Sequence, residues 1–286
     1  MVSAESSTEL EREDDSADAA RRLAALVAPG GVVALTGAGV STASGIPDYR
    51  DERGAWKRAQ PMQFREFTGS EAARRRYWAR SFLGFGVLGG ARPNAAHRIL
   101  ANWCESGLVT ALVTQNVDGL HQAAGSERVI DLHGRIDRVV CLACRRVSAR
   151  SALQRELATL NPHWTARPAV IAPDGDADPG HADYENFHVP TCACGGTLKP
   201  DVVFFGENVP KERVEHAMHA LESARLLLVV GSSLMVFSGY RFVRVADRLG
   251  IPIAVVNRGH TRADASARLK LEGDAGQALS AAARLL

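Results

Sequence analysis

The chain lacks any run near the roughly 18 to 20 uninterrupted apolar residues of a membrane-spanning helix, and the sequence gives no reason to expect one. Cysteine is scarce as well. Five in 286 residues are too few for a disulfide framework, and four of them fall in two close pairs, Cys141 with Cys144 and Cys192 with Cys194, which suggests a metal in a reducing compartment. An excess of one charge is also missing: 34 Lys and Arg against 32 Asp and Glu leave a net +2, so global electrostatics offers no case for a nucleic-acid partner. No repeat of solenoid period is visible. What is present, 46% hydrophobic and 23% charged residues, is ordinary for a globular protein, and the length suits one large domain or two smaller ones.

The near neutrality is uneven. Residues 1 to 18 carry seven acidic side chains and one arginine, net −6, which leaves +8 for the remainder. Residues 1 to 15 read as a solubilising arm with little to bury. With no basic region followed by an apolar run, the N-terminus reads as neither a secretory signal nor an Arg-rich organellar presequence, and the expected compartment is the cytoplasm.

A helix is expected from Asp15 or Ser16, with Leu23, Leu26 and Val27 on its core face and Pro29-Gly30 as its stop. Val32 to Leu35 reads as a buried strand entering the turn Thr36-Gly37-Ala38-Gly39. A helical piece near Glu71 to Ala79 and a helix over Asn94 to Glu105 precede a strand at Val109 to Thr114. From Arg135 to Lys199 the cysteine pairs flank a polar, proline-containing interval that reads as a small module with loops. Val202 to Phe205 resumes the strand pattern. A helix over Lys211 to Leu221, a strand at Leu226 to Val230, a helical segment through Tyr240 to Leu249 and a strand at Ile251 to Asn257 complete the alternation. Strands embedded among helices and ending in polar or glycine-rich corners imply a doubly wound parallel α/β domain, with ligands outside the carboxyl edge of its sheet.

Four constellations carry chemistry. Gly37-Ala38-Gly39 follows a strand, where glycine turns tightly and lets backbone N–H groups approach phosphate, but the sixth residue of the dinucleotide pattern is Thr42, so the dehydrogenase fingerprint is incomplete. The longer string to Asp48-Tyr49-Arg50 places hydroxyls, a carboxylate, an aromatic ring and an arginine in one post-strand loop. Gln115-Asn116-Val117-Asp118 supplies carboxamides and a carboxylate beyond a second strand, suited to a helix N-cap or, with the first loop, to ribose hydroxyls and a nicotinamide amide. Asp131-Leu132-His133-Gly134 adds an imidazole beyond a third apolar run, either a satisfied histidine or a base near neutral pH. The four paired cysteines offer a closed set of soft donors, which favours structural over catalytic zinc. His163, His181 and His188 read as loop histidines, Cys104 as a small core residue, and the arginine-rich stretch Arg74, Arg75, Arg76 and Arg80 as a partly solvated helix.

Taken in order from Val32 to Ala275, these pieces, with Val203-Phe204-Phe205-Gly206-Glu207, Gly231-Ser232-Ser233 and Asn257, resemble the sirtuin family of NAD-dependent protein lysine deacylases. Arg76-Tyr77-Trp78-Ala79-Arg80, Ala172-Pro173-Asp174-Gly175-Asp176, Pro200 to Glu207 and Ser238-Gly239-Tyr240-Arg241-Phe242 are most similar to the mitochondrial lipoamidase-type, class II, subgroup. The resemblance implies a Rossmann-like domain over residues 16–50, 94–134 and 201–286, a smaller inserted domain with a helical part over 51–93, and a zinc-ribbon module over 135–200. This chain departs from the family in having Tyr49 for a common Phe, Phe204 for a usual Trp, Ala275 for a frequent Cys, and one residue between Cys192 and Cys194 where two are usual.

The resemblance further implies one structural Zn2+ on Cys141, Cys144, Cys192 and Cys194, NAD as a consumed cosubstrate, and an acylated-lysine protein or peptide as partner, with neither nucleic acid nor membrane. The acyl oxygen would attack C1 of the nicotinamide ribose, and His133 would then serve as base for a ribose hydroxyl. The products would be free lysine, nicotinamide and O-acyl-ADP-ribose. Asn116 and Asp118 would orient ribose and nicotinamide, with Gln115 helping. Gly37, Ala38, Gly39, Asp48, Tyr49 and Arg50 would bind or close over the cofactor. Gly231, Ser232 and Ser233 would meet phosphate, and Asn257, Arg258 and Ala275 the adenosine end. Phe204, Phe205, Gly206 and Glu207 would grip an extended peptide by strand addition. Tyr77 and Arg80 match a tyrosine and an arginine that bind acidic acyl groups in the desuccinylase branch. Competing expectations are protein ADP-ribosylation, a deacylase specialised for succinyl, glutaryl or lipoyl lysine, a zinc-ribbon binding module, and an ordinary NAD dehydrogenase.

Overall fold

The protein is described from a computed structural model covering residues 17–57, 60–164, 170–171, 175–178 and 184–286. The acidic arm over 1–15, residues 172–174 of the Ala172 to Asp176 string, and His181 lie outside these residues. Helix α1 spans 17–27, and strand β1 follows at Val32–Thr36. The turn beyond β1 winds into a 3-10 helix, Ala38–Ser44. Helices α2 (Phe64–Gly69), α3 (Glu71–Leu88) and α4 (Ala95–Glu105) lead to β2 (Val109–Thr114), α5 (Leu120–Ala123) and β3 (Val129–Asp131). Then come β4 (Gly134–Cys141), β5 (Val147–Ala149), α6 (Arg150–Leu160), the short strands β6 (Val170–Ile171) and β7 (Ala177–Asp178), and β8 (Leu198–Val202). The chain continues through α7 (Lys211–Glu222), β9 (Leu226–Val230), α8 (Phe237–Leu249), β10 (Ile253–Asn257), β11 (Leu269–Glu272) and α9 (Ala275–Ala283).

The apolar strand runs pair as one parallel sheet in the order β11-β10-β9-β1-β2-β3. Every residue of β1, β9 and β10 is buried, as expected when helices cover both faces of a parallel sheet. Strand alternation sorts the side chains. Val32 and Ala34 meet Leu23, Leu100 and Leu279 of α1, α4 and α9, whereas Val33 and Leu35 meet Leu221, Phe242 and Ala246 of α7 and α8. From β1 the chain runs to β2 and β3 on one side and returns to β9, β10 and β11 on the other. The strand order therefore reverses between β1 and β9, and their carboxyl ends open the crevice typical of such a switch point.

Asn94 starts α4 as expected: its side chain accepts N–H bonds from Ala96 (3.0 Å) and His97 (3.4 Å), while the His97 ring accepts the Asn94 N–H (3.3 Å). Two expectations need correction. Helix α3 runs to Leu88 instead of stopping near Ala79, and Gly84 within it serves a close approach: a Cβ there would stand 2.0 Å from the Gly175 carbonyl oxygen. The run Val202 to Phe205 is not a strand of the large sheet. β8 ends at Val202 and pairs antiparallel with β4, Cys141 opposite Leu198 and Gly134 opposite Val202, and β5 pairs on the other edge of β4. Val202 and Phe204 enter a third core with Phe67, Trp78, Leu157 and Phe187. An apolar run reports burial, not which sheet buries it.

Cys104 packs against the first core, and burial pushes its thiol up to about 11, consistent with a core residue. Arg74 donates to the Phe67 and Thr68 carbonyls, Arg75 pairs with Glu71 and Arg76 with Glu66. These contacts fit a solvated helix face. Among the described residues, no helix is long and apolar enough to cross a membrane.

Candidate active site

At the switch point the ends of β1 and β9 nearly touch. A Cβ on Gly37 would lie 2.8 Å from the Ser232 Cβ, and one on Gly39 would lie 2.9 Å from the Gly231 oxygen. Gly231 itself has φ +61°, a left-handed conformation that favours glycine. Ser232 Oγ accepts the Gln115 Nε2 at 2.9 Å and the Leu234 N–H at 3.3 Å, tying β9 to the end of β2. The cavity that opens here has a volume of about 350 Å³, and all the expected cofactor, substrate and catalytic residues line it except Ala275 and Arg80. Ala275 sits at the buried start of α9, in the core with Ala96.

Beyond β2, Asp118 serves two masters. Its Oδ1 accepts the Leu120 N–H at 2.9 Å, starting α5, while its Oδ2 accepts the Ser41 hydroxyl at 2.7 Å. Asn116 Nδ2 donates to the same Ser41 oxygen at 3.0 Å. Ser41 is fully buried, so the 3-10 helix after β1 fixes the orientation of both residues through one hydroxyl. Behind it His97 Nε2 lies 3.4 Å from Ser41 Oγ, and the His97 and His121 rings approach to 4.8 Å between centroids. His121 Nε2 is 2.9 Å from Thr36 Oγ1. Burial holds His97 near 4 and His121 near 3, below the usual imidazole value, so both rings are neutral at pH 7.

His133 is held from both sides. Its Nδ1 lies 2.9 Å from the Gln115 carbonyl oxygen and its Nε2 lies 2.8 Å from Ser238 Oγ. Burial, with a smaller contribution from the positive charges of Arg213 and Arg241, lowers it to about 4. At neutral pH the imidazole is therefore uncharged and keeps one nitrogen lone pair on the side of the cavity that the residue lines.

One wall of the cavity is built by aromatic packing. Arg50 and Trp56 form a small antiparallel bridge, the Arg50 guanidinium lies 4.0 Å over the Trp56 ring and donates to the Gly54 oxygen at 2.7 Å. Trp56, Tyr49 and Phe205 meet edge-on, with centroids 5.5 to 6.1 Å apart. Lys57 pairs with Asp48. At the far rim, Asn257 donates to the Arg258 oxygen at 2.6 Å, and the Ser233 carbonyl accepts the Arg262 N–H at 3.1 Å. Backbone amides, hydroxyls, carboxamides and the cations Arg50 and Arg258 converging on one cavity suit a large ligand with many hydroxyls and negative charge.

The two residues paired by helical spacing do not share one environment. Tyr77 is buried, lines the cavity and packs on Phe67 and Phe204. Arg80 pairs with Asp176 at 2.7 Å and does not line the cavity. Glu207 turns inward to the buried Lys199, 3.0 Å away, and accepts the Phe204 N–H at 2.9 Å.

The four sulfurs of Cys141, Cys144, Cys192 and Cys194 all lie within 4.8 Å of one another, the single such ligand group among the described residues. Cys141 and Cys194 are 3.6 Å apart and Cys144 and Cys192 3.7 Å, close to the ~3.8 Å edge of a tetrahedron with Zn–S bonds of about 2.3 Å. A Cβ on Gly196 would lie 2.6 Å from Cys141 Sγ, so only glycine lets the second pair close on the first. The Cys144 N–H draws the Cys141 thiol down to about 6. On Cys194 the Gly196 N–H acts in the same direction, but hydrogen bonds from the neighbouring thiols outweigh it and raise the thiol to about 11. Four sulfurs this close could all ionise only around a cation, and the donor set fits one zinc ion.

The Sir2 family profile matches residues 37–238. The chain belongs to the Sir2 family. It is 58% identical over 238 residues to the NAD-dependent protein deacetylase of Bordetella bronchiseptica, covering 83% of this chain and 87% of that one. It is also 54% identical over 255 residues to NAD-dependent protein deacetylase 1 of Streptomyces coelicolor, covering 89% and 85%. Among solved structures, a Sir2 complex with a p53 peptide and NAD+ superposes with a TM-score of 0.71 at 30% identity, covering 91% of this chain and 95% of the other.

Sequence reasoning on this Sir2-family chain left out Ser41, His97, Lys199 and Ser238. Ser41 and Ser238 stand inside strings that carried the resemblance, but a hydroxyl between better-known motif residues gives no signal of its own. His97 could have been found as the residue three beyond the cap Asn94.

Proposed function

We propose that the chain is an NAD-dependent protein lysine deacetylase of the class II, lipoamidase-type branch, acting in the cytoplasm. The observation that carries the activity is the convergence of His133, Asn116 and Asp118 on one cavity at the β1/β9 switch point, together with more than 50% identity to named deacetylases. The branch rests on the Arg76 to Arg80, Pro200 to Glu207 and Ser238 to Phe242 strings.

NAD, when bound, would supply the ribose that receives the acyl group and the nicotinamide that leaves. The chain's residues hold and deprotonate. Gln115 has only a carbonyl to offer Nδ1 of His133, so the proton resides on Nδ1 and the Nε2 lone pair serves as base toward a ribose hydroxyl. Asn116 and Asp118, locked through Ser41, orient ribose and nicotinamide, and Gln115 assists. Gly37, Ala38, Gly39 and Ser232 bring backbone and hydroxyl groups to the phosphates, Asp48, Tyr49 and Arg50 close the mouth, and Asn257 and Arg258 take the adenosine end. Phe204, Phe205 and Gly206 form the peptide wall, with Glu207 bracing it. Zinc on the four cysteines is structural, because four thiolates leave no open coordination position.

Acetyl-lysine is the assigned substrate, since Arg80 is engaged by Asp176 outside the cavity. An equal-concentration panel of acetyl-, succinyl-, glutaryl- and lipoyl-lysine peptides with NAD, scored by nicotinamide release and peptide mass, tests this. Acetyl loss with one nicotinamide per turnover is expected. Mass gain by ADP-ribose, or preference for a carboxylated chain, would overturn it.

A further inference from the structure

The His133 imidazole is contacted at both of its nitrogens. A carbonyl oxygen only accepts, so the 2.9 Å contact with Gln115 requires the imidazole proton on Nδ1. Nε2 then carries a lone pair, and the 2.8 Å contact with Ser238 requires the serine hydroxyl to donate to it. The imidazole is thereby fixed at both nitrogens, one by a strand-end carbonyl and one by the first turn of α8.

The placement of Ser238 is itself constrained. It is 8% exposed and lines the same cavity as His133. The next residue, Gly239, lies so close to Gln115 that a Cβ there would stand 2.3 Å from Gln115 Oε1. Gln115 Nε2 in turn donates to Ser232 Oγ at 2.9 Å and to the Thr36 oxygen at 3.2 Å. The start of α8 is thus seated against the residue that holds Nδ1, and the Ser238 hydroxyl cannot withdraw without moving the helix or rotating its own side chain.

We propose that Ser238 is a positioning residue for the base: its hydroxyl holds the His133 ring with Nε2 directed into the cavity until a substrate hydroxyl takes over that lone pair. This rests on His133 being the base. A serine hydroxyl suits the task because it is small and free to rotate, so it can hand over the lone pair and use its acceptor sites elsewhere. An alanine would leave Nε2 without a donor and the ring free to turn about the Nδ1 contact.

The reaction offers a readout that a purely structural role would not move. Release of nicotinamide needs no base, whereas completion of acyl transfer does. Exchange of labelled nicotinamide into NAD in the presence of acetyl-peptide reports the first step, and deacetylated peptide the whole. Ser238→Ala should lower deacetylation about 5- to 10-fold, the worth of one hydrogen bond, with exchange and the peptide KM within about twofold of wild type. Ser238→Thr, which keeps a hydroxyl, should restore most of the deacetylation. His133→Ala is run beside them. If it deacetylates as wild type does, the base reading itself fails. If it is impaired while Ser238→Ala matches wild type, or if Ser238→Ala lowers exchange and deacetylation equally, the role of Ser238 is overturned and that of His133 stands. Thermal unfolding of each variant identifies a fold defect, and a destabilised Ser238→Ala is replaced by Ser238→Cys, for which the same loss of acyl transfer relative to exchange is expected.

Discussion

Lys199, buried, and Glu207, half-buried, form an ion pair at 3.0 Å that joins the sheet carrying Cys141 to the wall of the cavity. Lys199 lies on β8, one residue beyond Leu198, which pairs with Cys141. Its ammonium also donates to the Val202 carbonyl at 2.5 Å and stands 4.9 Å over the Phe204 ring. Pro200, Val202, Phe204 and Glu207 are therefore gathered around one cation.

Removing that cation leaves Glu207 unpaired and half-buried beside an apolar wall. An unpaired charge costs about 3 to 5 kcal/mol when fully buried, and with Glu207 partly solvated Lys199→Met should lose less than that in urea unfolding. The peptide KM should rise, because Phe204 and Phe205 lose their brace, while the NAD KM stays near wild type. Lys199→Met combined with Glu207→Gln should recover part of the stability. A double variant no better than the single would show that the pair is not the source of the loss.

Ser41 makes a similar prediction on the cofactor side. Ser41→Ala removes the oxygen shared by Asn116 and Asp118, an interaction worth about 1 to 3 kcal/mol where one partner is charged. NAD affinity measured by calorimetry should fall by about tenfold, with peptide affinity unchanged. Unaltered NAD binding would remove Ser41 from the cofactor site.

The large sheet was legible because its strands are buried on both faces, so Val32 to Leu35 and Leu226 to Val230 appear as unbroken apolar runs between helices. The same argument misread Val202 to Phe205, whose apolarity reflects a core shared with Phe67 and Trp78 instead of the main sheet. Motif residues were legible through their order along the chain. Arg80 was not, because helical spacing places two side chains on one face but cannot reveal that Asp176, nearly a hundred residues on, meets one of them. Ser41 and Lys199 act by orienting other residues, and that work leaves no pattern in the sequence.

Zinc removal should act through β4 and β8. Cys141 ends β4 opposite Leu198, so loss of the metal releases both strands and, through Lys199, the peptide wall. Cys141→Ser should lower zinc content from about one ion per chain and stability with it, because a closed thiolate site supplies folding free energy. Chelation of the wild type should raise the peptide KM before it abolishes NAD binding. Absence of zinc from purified protein, or full stability with all four thiols replaced, would defeat the site.

The buried histidines set the response to acid. Burial places His97 near 4, His121 near 3 and His133 near 4, each below the value of about 6.5 expected in an unfolded chain. Below that value the unfolded chain takes up a proton on each ring that the native state refuses. Stability is therefore complete above about pH 6.5 and falls as the pH drops toward 4, by at most about 1.4 kcal/mol per pH unit for each histidine. Asp131, raised by burial, works in the opposite sense, and Asp264, lowered overall because hydrogen bonds from Thr261 and Lys270 outweigh its burial, adds to the loss only in stronger acid. Urea unfolding at pH 7.5 and pH 5.0 should show the decline, and His121→Gln should make it shallower by about one proton. Activity should separate from stability: with His133 still neutral, kcat/KM should show no acid limb near 6.5 while the protein remains folded. An acid limb centred on 6.5 would mean that the base titrates as an exposed histidine, in conflict with its seat between Gln115 and Ser238.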